Sequence, residues 1–372
     1  MDSEPVITQP PDLTRLHNSS SPTVPTKLPS SSDTTTTTTN ANDTSTSQEP
    51  PSYLSRLQKD GFVVIPNLLP PHLLLASQAS CKYLIQRTRP GGFWPHVRTV
   101  PKQYPPWPKY ETPDQNLNIW GIQHLLHPHL TNLRDIFAEI YFSNEVLTVV
   151  KQLLADPTPS TSSSQPDATA AVPDSALVME LFNLLISPSH SRPFELEWHR
   201  DDIRPTATAA QELALLAAKA PRGRQLHAQY NLALTEDASL LVIPGSHRRA
   251  RTHTERHAGQ YDPLPSEINV HLNPGDAVFY DSNILHRGVY TGIDAERELG
   301  RMTLHGSVGL KGYGAERSRQ VLQHAVGEWV ETPGAEFANV QDEGKRARAE
   351  AMRMALIEMG KGREHVGYSL EG

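Results

Sequence analysis

The sequence holds one cysteine, Cys81. An internal disulfide is therefore excluded, and a reducing compartment is the natural setting. Long apolar runs are also missing: no stretch nears the roughly 18 residues that a membrane span requires. Basic charge is not in excess, since 34 Lys and Arg stand against 41 Asp and Glu for a net charge of −7. That balance argues against a general nucleic-acid binder, which carries a basic face. Asp2, Ser3, Glu4 and Pro5 after Met1 leave no room for a secretory apolar core. The closing residues Ser369-Leu370-Glu371-Gly372 are not the Ser-Lys-Leu peroxisomal address. These absences lead to the expectation of a soluble, cytoplasmic protein with no membrane or nucleic-acid partner.

What is present changes character along the chain. Residues 1–50 are rich in Ser, Thr and Pro, with an unbroken Thr run from Thr34 to Thr39. Such a segment cannot bury enough apolar surface to offset its ordering, so a disordered tail is expected. An antiparallel β domain can run to roughly 200–250 residues, so residues 51–372 need not be split. A short helix from Tyr53, stopped at Asp60-Gly61, leads into the strand Phe62-Val63-Val64-Ile65. Pro70-Pro71 opens a second helix at the position where proline is tolerated. Residues 90–130 are dense in aromatic, His and Pro residues, and the prolines from Pro101 to Pro113 argue against regular structure. This segment reads either as a cover over a binding site or as packed irregular chain. Its Trp120-Gly121-Ile122-Gln123-His124 stretch is the part expected nearest a pocket. Residues 131–155 read as one helix, and 156–171 as a low-complexity surface loop.

From Leu177 the pattern turns to β. Leu177 to Ile186 is a nearly continuous apolar run, a strand buried on both faces. Its one amide, Asn183, either pins local backbone or faces a polar ligand. Residues 225–234 alternate, with Gln225, His227, Gln229 and Asn231 on one face. That face lines either a wet cavity or solvent. Further strands are expected at 239–247, 268–272, 277–280 and 301–308, with a tight turn at Asn273-Pro274-Gly275-Asp276. Residues 206–220 read as a helical insertion. Arg248, Arg249 and Arg251 read as a solvated turn. The tail is expected to be helical over Arg317–Val330 and from Glu343 to about Met359, the latter with a solvated face carrying Arg346, Arg348 and Arg353.

The chemistry centres on Trp198-His199-Arg200-Asp201. In an extended chain, residues two apart point the same way. His199 and Asp201 can then reach one ion while Arg200 faces away. An imidazole and a carboxylate are two thirds of the facial triad that suits non-haem Fe(II). A solvated His and Asp on a surface strand would give the same spelling. His286, after a strand far downstream, can return to the same mouth of an antiparallel barrel as the third ligand. Three ligands on one face leave three positions, of which a 2-oxo acid can take two and dioxygen the third. The second carboxylate of such a cosubstrate would need a buried charge partner. Arg301, with Thr303 on the same face, is the candidate, and Arg297 competes for the role. Asn183 and Gln229 are further candidates for the cosubstrate, and Trp120, Gln123 and Trp198 for the substrate. Without a second carboxylate, a buried Arg301 would be an unpaired charge.

Gly61-Phe62-Val63-Val64-Ile65-Pro66, Trp198-His199-Arg200-Asp201, Leu241-Val242-Ile243-Pro244-Gly245-Ser246-His247, Pro274-Gly275-Asp276, His286-Arg287-Gly288 and Arg301 occur in that order. Together they resemble the phytanoyl-CoA dioxygenase family of Fe(II)/2-oxoglutarate oxygenases over most of residues 51–310. The resemblance implies a mainly β fold, a double-stranded β-helix (jelly-roll, cupin-like) core over about 177–310 with flanking α-helices, including C-terminal helices over 315–362. It implies Fe(II) on His199, Asp201 and His286, and 2-oxoglutarate anchored by Arg301. It implies an enzyme that converts 2-oxoglutarate to succinate and CO2 while hydroxylating or desaturating a small organic substrate. Two alternatives stay open: a non-catalytic jelly-roll that senses a metal or small molecule, and a cupin-like metalloenzyme using Zn or Mn without 2-oxoglutarate.

Overall fold

A computed structural model describes residues 52–107, 118–157, 171–189, 194–290, 300–312 and 315–361. Pro51–Gly372 form one compact unit. The expected tail, most of the 156–171 loop and Arg297 lie outside the described residues.

Helix α1 (Tyr53–Asp60) begins behind Ser52, whose hydroxyl accepts a hydrogen bond from the Ser55 N–H, and stops at Gly61. Strand β1 (Phe62–Ile65) and helix α2 (Pro71–Thr88) follow. Two short strands come next, β2 (Val97–Thr99) and β3 (Ile119–Ile122). They correct the expectation of irregular chain over 90–130: the prolines fall between the strands rather than in them. The helix expected over 131–155 is two, α3 (Asn132–Tyr141) and α4 (Asn144–Leu153). Ser143 separates them because its side chain caps α4, accepting from the Val146 N–H.

The β region comprises β4 (Leu177–Ile186), β5 (Phe194–Glu195), helix α5 (Ala209–Lys219), β6 (His227–Ala233) and β7 (Asp237–Val242). It continues through helix α6 (His253–His257), β8 (Ile268–Leu272), β9 (Ala277–Tyr280), β10 (His286–Tyr290) and β11 (Met302–Leu310). Gly275 at φ +94° makes the turn before β9. Helix α7 (Ala315–Gln323) is shorter than the sequence suggests, and α8 (Glu343–Gly360) closes the described chain. The polar face expected on α8 is only partly solvated, because Arg353 is buried and donates to the Val330 carbonyl.

The strands form two antiparallel sheets, ordered β1-β9-β6-β11-β4-β3-β2 and β5-β10-β7-β8. This is an open double-stranded β-helix rather than a closed barrel. On the outer face of the large sheet, Phe182 and Leu184 of β4 pack in one core with Phe137, Val150 and Leu356 of the helices. Burial of both faces explains why β4 is apolar apart from Glu180 and Asn183, whose side chains find partners in Arg317 and the His124 N–H. Between the sheets, Leu240, Val242 and Val270 meet Ala233, Val278 and Tyr280 at one end. The other end holds the cavity described below. Among the described residues no helix is long and apolar enough to cross a membrane.

Cys81 is fully buried on α2, and burial pushes its thiol up far beyond the ordinary value. A thiol reagent at pH 8 should leave the native protein unmodified and titrate one thiol per chain after denaturation, read by absorbance of the released chromophore.

Candidate active site

His199 and His286 are partners across an isolated antiparallel bridge. The His199 N–H donates to the His286 carbonyl at 3.0 Å, and the His286 N–H to the His199 carbonyl at 3.1 Å. Regular strand stops before His199. Asp201 lies on a bend whose N–H donates to the Ser282 carbonyl at 2.8 Å. Each imidazole donates its Nδ1–H to the carbonyl two residues before it, Glu197 or Ile284, at 2.8 Å. That bond sets the tautomer and leaves both Nε2 lone pairs free to ligate. Nε2 of His199 lies 3.5 Å, and Nε2 of His286 3.7 Å, from Oδ1 of Asp201. One donor atom from each of the three residues lies within 4.8 Å of the others, a span that one small divalent ion can bridge. Burial, and then the adjacent His199, lower His286 to about 4, so its imidazole is neutral at pH 7, as a ligand must be. Burial alone would raise the Asp201 carboxyl; the facing His286 and His199 imidazoles and the hydrogen bond donated by Gln229 outweigh it and hold the group well below the carboxylate range. Gln229 donates to Oδ2 of Asp201 at 2.9 Å, which directs Oδ1 to the imidazoles.

The residue between the ligands fastens them to the scaffold. Arg200 is fully buried and points away from the triad. Its Nε donates to Glu212 Oε1 at 2.7 Å, and its terminal nitrogens donate to the carbonyls of Asn283 and Arg249. Glu212, equally buried on α5, also accepts from Arg251 and Arg256. The arginine cluster expected to be a solvated turn is corrected accordingly. Arg251 is buried on Glu212, Arg249 makes a two-pronged pair with Glu255, and only Arg248 is exposed. Asp202 accepts from Ser282 and Asn283 and closes the loop from the other side.

Beyond the triad the cavity is walled by Leu185, Asn231, Ser239, Tyr280, Tyr290 and Arg301. Arg301 is buried, and its Nε donates to Asp237 Oδ2 at 3.0 Å and to Thr303 Oγ1 at 3.1 Å. The Thr303 hydroxyl in turn donates to Asp237 at 2.5 Å. This corrects one expectation. Arg301 is not an unpaired charge without a cosubstrate, because Asp237 supplies a counter-ion that the sequence reading did not consider. Thr303 is fully buried between Arg301 and Asp237 and orients both.

The remaining candidates divide. Gln229 and Trp120 line the cavity. Asn183 is fully buried, and its Oδ1 accepts from the His124 N–H at 3.0 Å, so it pins backbone. Gln123 is buried beside it, its backbone paired with His96 and with the Trp94 indole. Neither Asn183 nor Gln123 belongs to the cavity wall. Trp198 is also turned away: it packs with Leu241, Ile243, Leu264 and Leu285, under the Arg287 guanidinium. The alternation that aims His199 and Asp201 inward explains this, because Trp198, one residue before His199, faces the opposite side. Residues that the sequence reading passed over do reach the cavity, among them Arg98, Tyr280, Tyr290 and His305. His305 had a legible signal, since it shares the Arg301 face. The others sit on short or fully apolar strands that carry none.

Removing Glu212 leaves Arg200 buried without its carboxylate, a loss of about 3–5 kcal/mol for such pairs. Glu212→Ala should lower the urea midpoint accordingly and weaken metal binding. Despite burial, the Arg251 N–H and the Arg200 guanidinium hold Glu212 below its ordinary value of 4.5. Its contribution is therefore complete above pH 4.5 and is lost as pH falls through the lower folded value. Urea midpoints of wild type and Glu212→Ala should converge on acidification in that range.

No curated protein matches. Among solved structures, AviO1 from Streptomyces viridochromogenes Tue57 is 18% identical over 70% of this chain and 95% of its own, at a TM-score of 0.46. EctD from S. alaskensis, solved with 2-oxoglutarate and 5-hydroxyectoine, is 14% identical over 70% of this chain and 76% of its own, at 0.43. The non-heme alpha ketoglutarate dependent epimerase SnoN from nogalamycin biosynthesis is 14% identical over 69% of this chain and 81% of its own, at 0.41. Residues 57–289, more than half of the sequence, match the family model described as Phytanoyl-CoA dioxygenase (PhyH), and the chain belongs to that family.

Proposed function

We propose that the protein is an Fe(II)- and 2-oxoglutarate-dependent oxygenase that hydroxylates or desaturates a small organic substrate, with dioxygen as co-reactant and succinate and CO2 as coproducts. The observation that carries this reading is the convergence of two imidazole Nε2 atoms and one carboxylate oxygen beside a cavity that also contains a buried guanidinium, Arg301. When bound, iron with the 2-oxo acid supplies the oxidising power for C–H cleavage. The protein's contribution is positional. His199, Asp201 and His286 would hold the metal on one face and leave the opposite face open. Gln229 keeps the Asp201 carboxylate from rotating. Arg301, aligned by Asp237 and Thr303, would receive the far carboxylate of 2-oxoglutarate, with Tyr280 and Tyr290 walling that end of the cavity. Leu185, Leu196 and Trp120 limit water around the reacting centre. The lone, buried cysteine supports a reducing, cytoplasmic setting.

Succinate release from 2-oxoglutarate with Fe(II) tests the assignment. His199→Ala and Asp201→Ala should each abolish release, by more than about 100-fold, and weaken metal binding in a chelator competition. Arg301→Gln removes charge-assisted hydrogen bonds worth about 1.5–3 kcal/mol, which predicts a KM for 2-oxoglutarate raised roughly 10- to 100-fold. Metal binding with no succinate under any condition would favour a cupin-like metalloenzyme or a sensor instead.

A further inference from the structure

The cavity continues past the triad into a second chamber, and Arg98, Trp120, Gln229 and His305 line both parts. Polar groups, among them Gln103, Tyr104, Gln320 and His324, share the wall of that chamber with Trp107 and Leu181.

Arg98 differs from the other guanidiniums of this cavity. Arg301 has Asp237 at 3.0 Å, and Arg317 has Glu180 at 3.1 Å. Among the described residues Arg98 has no carboxylate within ion-pair distance, and its buried Nε has no hydrogen-bond partner. The fold nevertheless builds a cradle for it. On β2 Arg98 stands opposite Gly121 of β3. A Cβ at Gly121 would lie 3.0 Å from the Arg98 Cδ and 3.2 Å from its Cγ, so any larger residue there would push the stem aside by a few tenths of an ångström. The guanidinium then sits 5.2 Å from the Trp107 ring and 5.3 Å from the Trp120 ring, which favour a cation but do not neutralise it. A partly buried cation held in place without an acid is costly unless a ligand brings the anion.

We propose that Arg98 recognises an oxyanion, a carboxylate or a phosphate, carried by the substrate, and that the substrate is a small acidic molecule lodged in the second chamber. This rests on the oxygenase reading above, in which Arg301 takes the cosubstrate. Arg98 would bind and orient the substrate across the open face of the metal site, a specificity role rather than a chemical one.

Calorimetry on the full chain loaded with Mn(II) and 2-oxoglutarate tests it, titrating benzoate, phenylacetate and phenyl phosphate against the uncharged benzamide and phenylacetamide. At least one acid should bind, with its amide weaker by about tenfold or more. The carboxylate and phosphate arms identify which oxyanion is preferred. Arg98→Gln should lower the affinity for that acid to the amide's level, Arg98→Lys should recover part of it, and 2-oxoglutarate affinity should stay within about twofold. Gly121→Ala, which crowds the stem, should weaken binding of that acid in the same direction as Arg98→Gln but by less. Amides binding as well as acids, no acid binding at all, or an equal loss of 2-oxoglutarate affinity in Arg98→Gln would each overturn the proposal, the last making Arg98 a cosubstrate anchor. Failure of wild type to bind 2-oxoglutarate would overturn the oxygenase reading separately, because the acid–amide comparison can be repeated with the metal alone.

Discussion

The two backbone hydrogen bonds between His199 and His286 are the constraint on which the site depends. They place two residues far apart in the chain directly opposite each other across one antiparallel bridge, so the spacing of the two imidazoles is set by ladder geometry rather than by side-chain choice. The ring centroids stand 4.3 Å apart. Each ring is then aimed by a hydrogen bond to its own chain, and the third ligand is delivered by a bend anchored to Ser282. A metal-binding constellation obtained in this way needs little reorganisation to accept an ion.

Charge compensation organises what surrounds it. Arg200 and Glu212 tie the loop carrying the ligands to α5, Arg301 and Asp237 fasten β11 to β7, and Arg317 and Glu180 join α7 to β4. In each pair an arginine, buried in the first two and partly buried in the third, meets a buried carboxylate, so these wall charges are internally satisfied. Against that background Arg98 stands out: its stem, its two indole neighbours and the glycine beneath it are all arranged, while its acid is absent from the described residues. Membership of the PhyH family does not specify the second chamber, whose wall combines β2, β3 and the chain after β2 with Gln229 of β6, His305 of β11 and Gln320 of α7.

Much of the scaffold was legible because it depends on local pattern. The apolar run of β4 coincides with a strand covered on both faces, and the alternation around Gln229 coincides with a strand lining a cavity. His199 and Asp201 converge as the two-residue spacing suggests, though on an isolated bridge and a bend rather than on regular strand. Where the reading went astray, a contact distant in sequence decided the outcome. Ser143 splits a helical pattern by capping α4. Trp198 is drawn into an apolar cluster, Asn183 is claimed by the His124 backbone, and the Arg249-Arg251 cluster is buried by acids from other elements.

The sequence by itself determined most of the strands from Leu177 onward and made His199, Asp201 and His286 the candidate metal ligands, because strand pattern and turn chemistry act within a few residues. Only the tertiary structure decided which charges are already answered. Asp237 beneath Arg301 and Glu212 beneath Arg200 are set by strand register and by an inserted helix, and buried electrostatics depends on three-dimensional neighbours that no local pattern encodes.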